Sequence, residues 1–158
     1  MKIHIITVSN KYPAWAASCF DQYSNRCVSN CAILLQQVKP IAPNSNRPND
    51  IIISKKAEAS KIRNLIPKNS ILIALDSRGK KFSTKQFSKE FQSWMQVGKN
   101  PCFIIGGAEG LAQDIQDDAQ KVLSLSSFTL AHPIALMVLM EQIYRALSII
   151  NNHPYHRV

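Results

Sequence analysis

Apolar positions recur along the chain with two periods, and the switching between them lays out the architecture. Residues 2–9, KIHIITVS, alternate apolar with polar at first and predict a strand. From Pro13 the spacing of Ala14, Trp15, Cys19, Phe20 and Tyr23 becomes helical, and the proline suits a first turn, where no N–H donor is needed. CAILLQQV (31–38) predicts a strand, and PIAPNSNRPND (40–50), with three Pro and three Asn, predicts a loop. A short helix is expected over residues 56–66, stopped by Pro67. ILIAL (71–75) predicts a strand and DSRGK a turn. Ser83 is placed to cap a helix to about Val97, with Phe87, Phe91, Trp94 and Met95 on one face and Gly98 after its end. PCFII (101–105) predicts a buried strand running into GGAEG. Residues 111–123 return to helical spacing, SLSSFTL (124–130) reads as a strand, and Pro133 opens a last helix to about Ile150.

Strands alternating with helices predict an α/β fold, a mostly parallel sheet with helices on both faces. The 158 residues show no internal repeat and no second composition regime, so one domain over 1–158 is expected. No apolar run reaches roughly 18 residues without interruption, and the opening MKIHIITVSNK is too short in apolar content for a secretory segment; no membrane partner and a cytoplasmic location are expected. The helix over 134–150 is nevertheless apolar nearly all round, so it must be covered on more than one side, and a second subunit could supply the cover. Within it, Glu141 and Arg145 stand i, i+4 in the favourable order.

Charge narrows the partner class. Nineteen Lys and Arg against ten Asp and Glu give +9, which favours a polyanion such as RNA or DNA, although a solvated cationic face gives the same count. The four cysteines, Cys19, Cys27, Cys31 and Cys102, are expected as thiols. Cys27 and Cys31 are spaced C-x3-C but lack a second ligand pair, and HPYH (153–156) has no third ligand nearby, so no metal is expected.

In open α/β sheets ligands bind at the carboxyl ends of strands. Three loops there could converge: LDSRGK, GGAEG (106–110) and LSSFTLAHP. GGAEG is not a dinucleotide fingerprint. Its Gly106 and Gly107 offer bare backbone to a ligand, or simply make a tight turn. SLSSFTL mixes apolar side chains with hydroxyls and main-chain donors in a way that suits adenine or methionine, or is an ordinary buried strand. His132 precedes Pro133 and fits either a helix start or a substrate contact. The tail NNHPYHRV (151–158) adds His153, Tyr155, His156 and Arg157, a set able to stack on a base, hold phosphate and carry a proton near neutral pH.

FIIGGAEGL (103–111), SLSSFTLAHP (124–133), EQIYRA (141–146) and HPYHR (153–157), in this order together with KIHIITVSNK and LDSRGK, resemble the ribosomal large-subunit pseudouridine methyltransferase H family, of the SPOUT class of S-adenosylmethionine enzymes. The resemblance implies a homodimer with a trefoil knot over about 71–158. It implies methylation of N3 of a pseudouridine in 23S rRNA on the assembled ribosome, by displacement at the sulfonium methyl with no covalent nucleophile. It implies S-adenosylmethionine against Leu75, Gly106, Leu125, Ser126, Ser127, Phe128, Thr129 and Leu130. Substrate contacts then fall to His132, His153, Tyr155, His156 and Arg157. Their first role is to position RNA; a catalytic residue is not identified, with His156 and Tyr155 the candidates for a proton acceptor. The chain has Leu136 where family members usually carry Arg, and residues 23–50, Cys27 and Cys31 included, fall outside the pattern. The competing readings are a SPOUT enzyme acting on another RNA nucleotide and a non-enzymatic ribosome-binding module.

Overall fold

A computed structural model describes residues 1–27 and 31–157. Val158, the last residue of the tail, lies outside it. Five strands form one sheet in the order β2-β1-β4-β3-β5: β1 Lys2–Val8, β2 Ala32–Val38, β3 Ser70–Lys81, β4 Asn100–Ile105 and β5 Lys121–Ser124. Every pairing is parallel. The helices are α1 Ala14–Cys27, α2 Pro48–Leu65, α3 Thr84–Gln96, α4 Gln113–Asp118 and α5 His132–Ile150.

The two-residue period of a strand sends alternate side chains to opposite faces, and both faces are buried. Ile3, Ile5, Ile73, Phe103 and Ile105 pack with α3 and α5 on one side. Ile6, Val8, Leu72, Ala74, Cys102 and Ile104 pack with α2 and α4 on the other. That is why PCFII carries no polar residue: β4 is central and covered above and below. In α3, Ser83 accepts from the Gln86 amide while the Gln86 side chain accepts from the Ser83 N–H, a reciprocal cap. Phe87, Phe91 and Trp94 of that helix are buried against Phe103, with ring centroids about 6 Å apart.

Four local expectations are corrected. The helix expected over 56–66 begins at Pro48, inside the expected loop, because that proline occupies its first turn; α2 is 18 residues long. The helix expected over 111–123 shrinks to the six residues of α4, and β5 starts at Lys121. SLSSFTL is not a strand: only Ser124 belongs to β5, and residues 125–131 form a loop tied by Ser124 Oγ to the Ser126 carbonyl (2.8 Å) and by the Phe128 amide to Ser126 Oγ (2.9 Å). The DSRGK turn lies inside β3 as a break in the ladder, since Leu75 and Lys80 both register with Leu123 and residues 76–79 bulge out.

The α5 helix is long and apolar enough to cross a membrane by length and composition alone, which the count of uninterrupted apolar residues does not reveal. Here 44% of it is buried inside the chain, and it packs on α1 and α3. Leu136, Leu139, Met140, Ile143, Ala146 and Leu147 fill that core. Leu136 is 1% exposed, so the position at which the resemblance leads one to expect Arg is a core position here.

A Cβ added at Gly79 would lie 2.6 Å from the Leu123 carbonyl carbon and 2.8 Å from the Leu123 nitrogen, so the bulge can press on β5 only because the residue has no side chain. Backbone atoms cannot yield as a flexible side chain would. Gly79→Ala is expected to destabilise the fold by about 1–3 kcal/mol, read as a lower urea midpoint at unchanged slope.

Candidate active site

The bulge, the glycine turn and the 125–131 loop leave adjacent strand ends and enclose one cavity of about 560 Å³. It lies at the carboxyl edge of the sheet, between the ends of β3, β4 and β5. Leu75, Ile105, Leu111, Leu125 and Leu130 give it an apolar wall. The glycine turn is closed by the Gly110 amide on the Gly107 carbonyl (2.9 Å), and Gly110 takes φ +75°. A Cβ on Gly106 would meet the Gly110 carbonyl carbon and the Leu111 nitrogen at 2.8 Å, so a side chain there would displace the turn itself.

Of the residues expected to hold the cofactor, Leu75, Gly106, Leu125, Ser126, Phe128, Thr129 and Leu130 line the cavity; Ser127 does not. His132 lines it as well, from the first turn of α5. Its Nδ1 is buried and has no hydrogen-bond partner. A buried polar atom left so calls for a partner that the described residues do not supply.

Four charged side chains on the wall were not singled out by sequence reasoning: Lys55, Asp76, Arg78 and Glu109. Asp76 and Arg78 sit in DSRGK and Glu109 in GGAEG, motifs that were. Lys55 gave no local signal, because it reaches the wall from α2. Arg78 clamps Asp76 through Nε to Oδ1 (3.0 Å) and Nη2 to Oδ2 (3.2 Å). The guanidinium holds the Asp76 carboxyl below the usual carboxylate range, helped by the Arg78 amide and partly opposed by burial.

The tail lies elsewhere. Tyr155 packs edge-on against Tyr144 at 4.6 Å, lies under the Arg145 guanidinium at 4.7 Å, and donates to Glu141 Oε1 at 3.2 Å. Arg145 Nε also donates to that Glu141 oxygen at 2.8 Å, so the expected i, i+4 pair is formed, and Arg145 Nη1 stands 3.4 Å from His156 Nδ1. His156 Nε2 is buried without a partner among the described residues, whereas His153 and Arg157 are exposed. Burial, with hydrogen bonds to Tyr23 and Glu141, pushes the Tyr155 phenol up to about 12. Glu141 stands nine positions after His132, about 14 Å along the axis. None of His153, Tyr155, His156 and Arg157 lines the cavity.

Cys27, Cys31 and Cys102 are buried thiols and Cys19 is partly buried. No group of three or more His, Cys, Asp or Glu able to hold a metal ion occurs among the described residues.

The family described as Predicted SPOUT methyltransferase matches residues 1–156. The chain belongs to the SPOUT methyltransferase family. It is 42% identical to ribosomal RNA large subunit methyltransferase H of Paraburkholderia xenovorans (strain LB400), over all of both chains. It is also 42% identical to the protein of that name from Burkholderia mallei (strain SAVP1), over 99% of each. These full-length likenesses fall in the methyltransferase H branch that the motifs pointed to. A solved structure from Neisseria gonorrhoeae, of a protein assigned to a methylase family, superposes with TM-score 0.52 over 99% of this chain and 95% of that one. At 15% identity it shows the shared fold alone.

A SPOUT methyltransferase requires a methyl donor, and the cavity fits one of nucleoside size. Its volume falls in the range of small-molecule sites, its wall is apolar with main-chain groups outside the ladder, and His132 offers an unsatisfied nitrogen.

Because its folded-state value is depressed, Asp76 stabilises the fold above the ordinary carboxylate range, and that contribution fades as pH falls through the depressed value. Arg78→Ala is expected to move the Asp76 carboxyl titration upward in a carbon-detected NMR experiment. A titration left in place would show that Arg78 does not govern that carboxylate.

Proposed function

We propose that the chain is a methyltransferase of ribosomal RNA that uses S-adenosylmethionine and methylates N3 of a pseudouridine in 23S rRNA on the assembled ribosome, in the cytoplasm and as a homodimer. The observation that carries this reading is the cavity built by the three loops carrying the family motifs, in a chain matched end to end by relatives named as ribosomal RNA methyltransferases. Leu75, Gly106, Leu125, Ser126, Phe128, Thr129 and Leu130 hold the cofactor, and Ser127, off the cavity wall, takes no part. When bound, it supplies a methyl group already activated on a sulfonium.

The chain's own task is then to align N3 with that methyl and to accept the N3 proton. The apolar wall excludes water, and His132 at the mouth contacts the substrate. The tail acts in trans: a subunit whose tail is pinned on its own α5 presents it to the cavity of the partner. There Arg157 meets phosphate, while Tyr155 and His153 position the base. Of the two candidate proton acceptors, Tyr155 keeps its proton near neutral pH, since its phenol titrates at about 12. His156 is thus the acceptor the reading favours. The apolar girdle of α5 and the knot over about 71–158 belong to the same proposal.

Mapping modified nucleotides in ribosomes from a strain lacking the protein, with and without the gene restored, tests it. The 23S pseudouridine is expected to gain its methyl only with the protein present. A methyl missing from a different RNA nucleotide would sink the substrate, and failure of the purified protein to bind S-adenosylmethionine in calorimetry would sink the enzyme. Removing residues 153–158 is expected to leave folding and cofactor affinity intact and to abolish methylation. Retained activity would remove the tail from the mechanism.

A further inference from the structure

Parallel pairing places the loops after all five strands along one edge of the sheet, in the order β2, β1, β4, β3, β5. Those after β4, β3 and β5 enclose the cavity. The remaining two, residues 9–13 after β1 and 39–47 after β2, prolong the same edge beyond it. They are held side by side. The Ser9 amide donates to the Val38 carbonyl (3.1 Å), and Gln37 Nε2 donates to Ser9 Oγ (3.1 Å) and to the Asn10 carbonyl (2.9 Å). The longer loop is anchored further, by the Ile41 amide on the buried Glu58 carboxylate (2.8 Å) and the Arg47 amide on Ser45 Oγ (3.2 Å).

These contacts engage backbone, amides and hydroxyls, and leave the cations of the two loops free of them. Lys11, Lys39 and Arg47 are exposed, and none takes part in an ion pair among the described residues. Neither residues 1–20 nor residues 31–49 contain an Asp or Glu; Asp50, next in sequence after the second stretch, is bonded to Ser45, and the buried Glu58 carboxylate accepts from the Ile41 amide. Lys55, on the cavity wall, belongs to the helix that Arg47 opens. With neighbouring strands about 4.8 Å apart, the β2 loop stands about 10 Å from the β4 loop of the cavity.

We propose that Lys11, Lys39 and Arg47 form a phosphate-binding track, which carries the backbone of the RNA flanking the modified nucleotide from the cavity toward the β2 edge. The inference rests on the RNA reading above. Phosphate contacts of this kind position the substrate without reading sequence. Binding to anionic vesicles, should it replace binding to RNA, would reassign the same cations to a membrane surface and overturn the track.

The test measures affinity for purified assembled ribosomes over a series of salt concentrations. Removal of one phosphate-bound cation is expected to make the dependence of log K on log salt shallower by about one. Lys11→Gln, Lys39→Gln and Arg47→Gln together should therefore reduce the slope by about 2–3, with the affinity for S-adenosylmethionine in calorimetry unchanged. The single variants, each expected to lower it by about one, keep the question answerable if the triple variant does not fold. Lys61→Gln, Lys68→Gln and Lys99→Gln, at exposed positions away from the two loops, remove the same charge and should leave the slope in place. An unchanged slope in the track variants, or an equal decrease in both sets, overturns the track alone. A wild-type protein that binds S-adenosylmethionine but not the assembled ribosome overturns the ribosomal RNA reading and the track with it.

Discussion

The site depends on one close contact between backbones. β3 must pair with β5 at both ends of a bulge, and it does so only because Gly79 presses onto Leu123 without a side chain. The contact throws residues 76–79 out of the ladder toward the open edge of the sheet, where Asp76 and Arg78 become part of a wall. β5 is itself short, four residues ending at Ser124, and the following segment folds over the strand ends as a loop. A regular β3 would have continued the sheet across the space the cavity occupies.

The same trade explains what could be read from the sequence. Central elements were legible because one physical demand dominates each: β4 is buried on both faces, so it is apolar throughout, and α3 announces itself by a reciprocal cap and an aromatic face. Residues 124–130 were misread because Leu, Ser and Phe alternate in a loop that must be apolar toward a ligand and polar along its own backbone, which reproduces the two-residue period of a strand. The start of α2 was hidden by prolines and asparagines, whose turn-forming habit holds in 40–47 and gives way at Pro48, where the ring suits a first helical turn.

At the site, the motif residues were legible and the wall beyond them was not. Leu75, Gly106 and five of the six positions from 125 to 130 converge as expected, since strand-end loops of a parallel sheet must share an edge. Lys55 arrives from a helix that returns over that edge, and no local pattern marks such a contact. The network of Glu141, Arg145, Tyr155 and His156 shows the opposite case: a helical i, i+4 pair visible in sequence recruits tail residues more than a turn away, which only the folded chain reveals.

The helix α5 touches the cavity at His132 and the tail network at Glu141, and it is straightforwardly a ruler between them. Each residue of an α-helix advances about 1.5 Å and turns about 100°. Inserting or deleting one residue between those points would hardly change the distance, yet it would rotate the tail by more than a quarter turn and carry Leu139 and Met140 out of the core. The length of this stretch is therefore fixed by phase rather than by reach, and evolution can tune the residues at either end far more freely than the number between them.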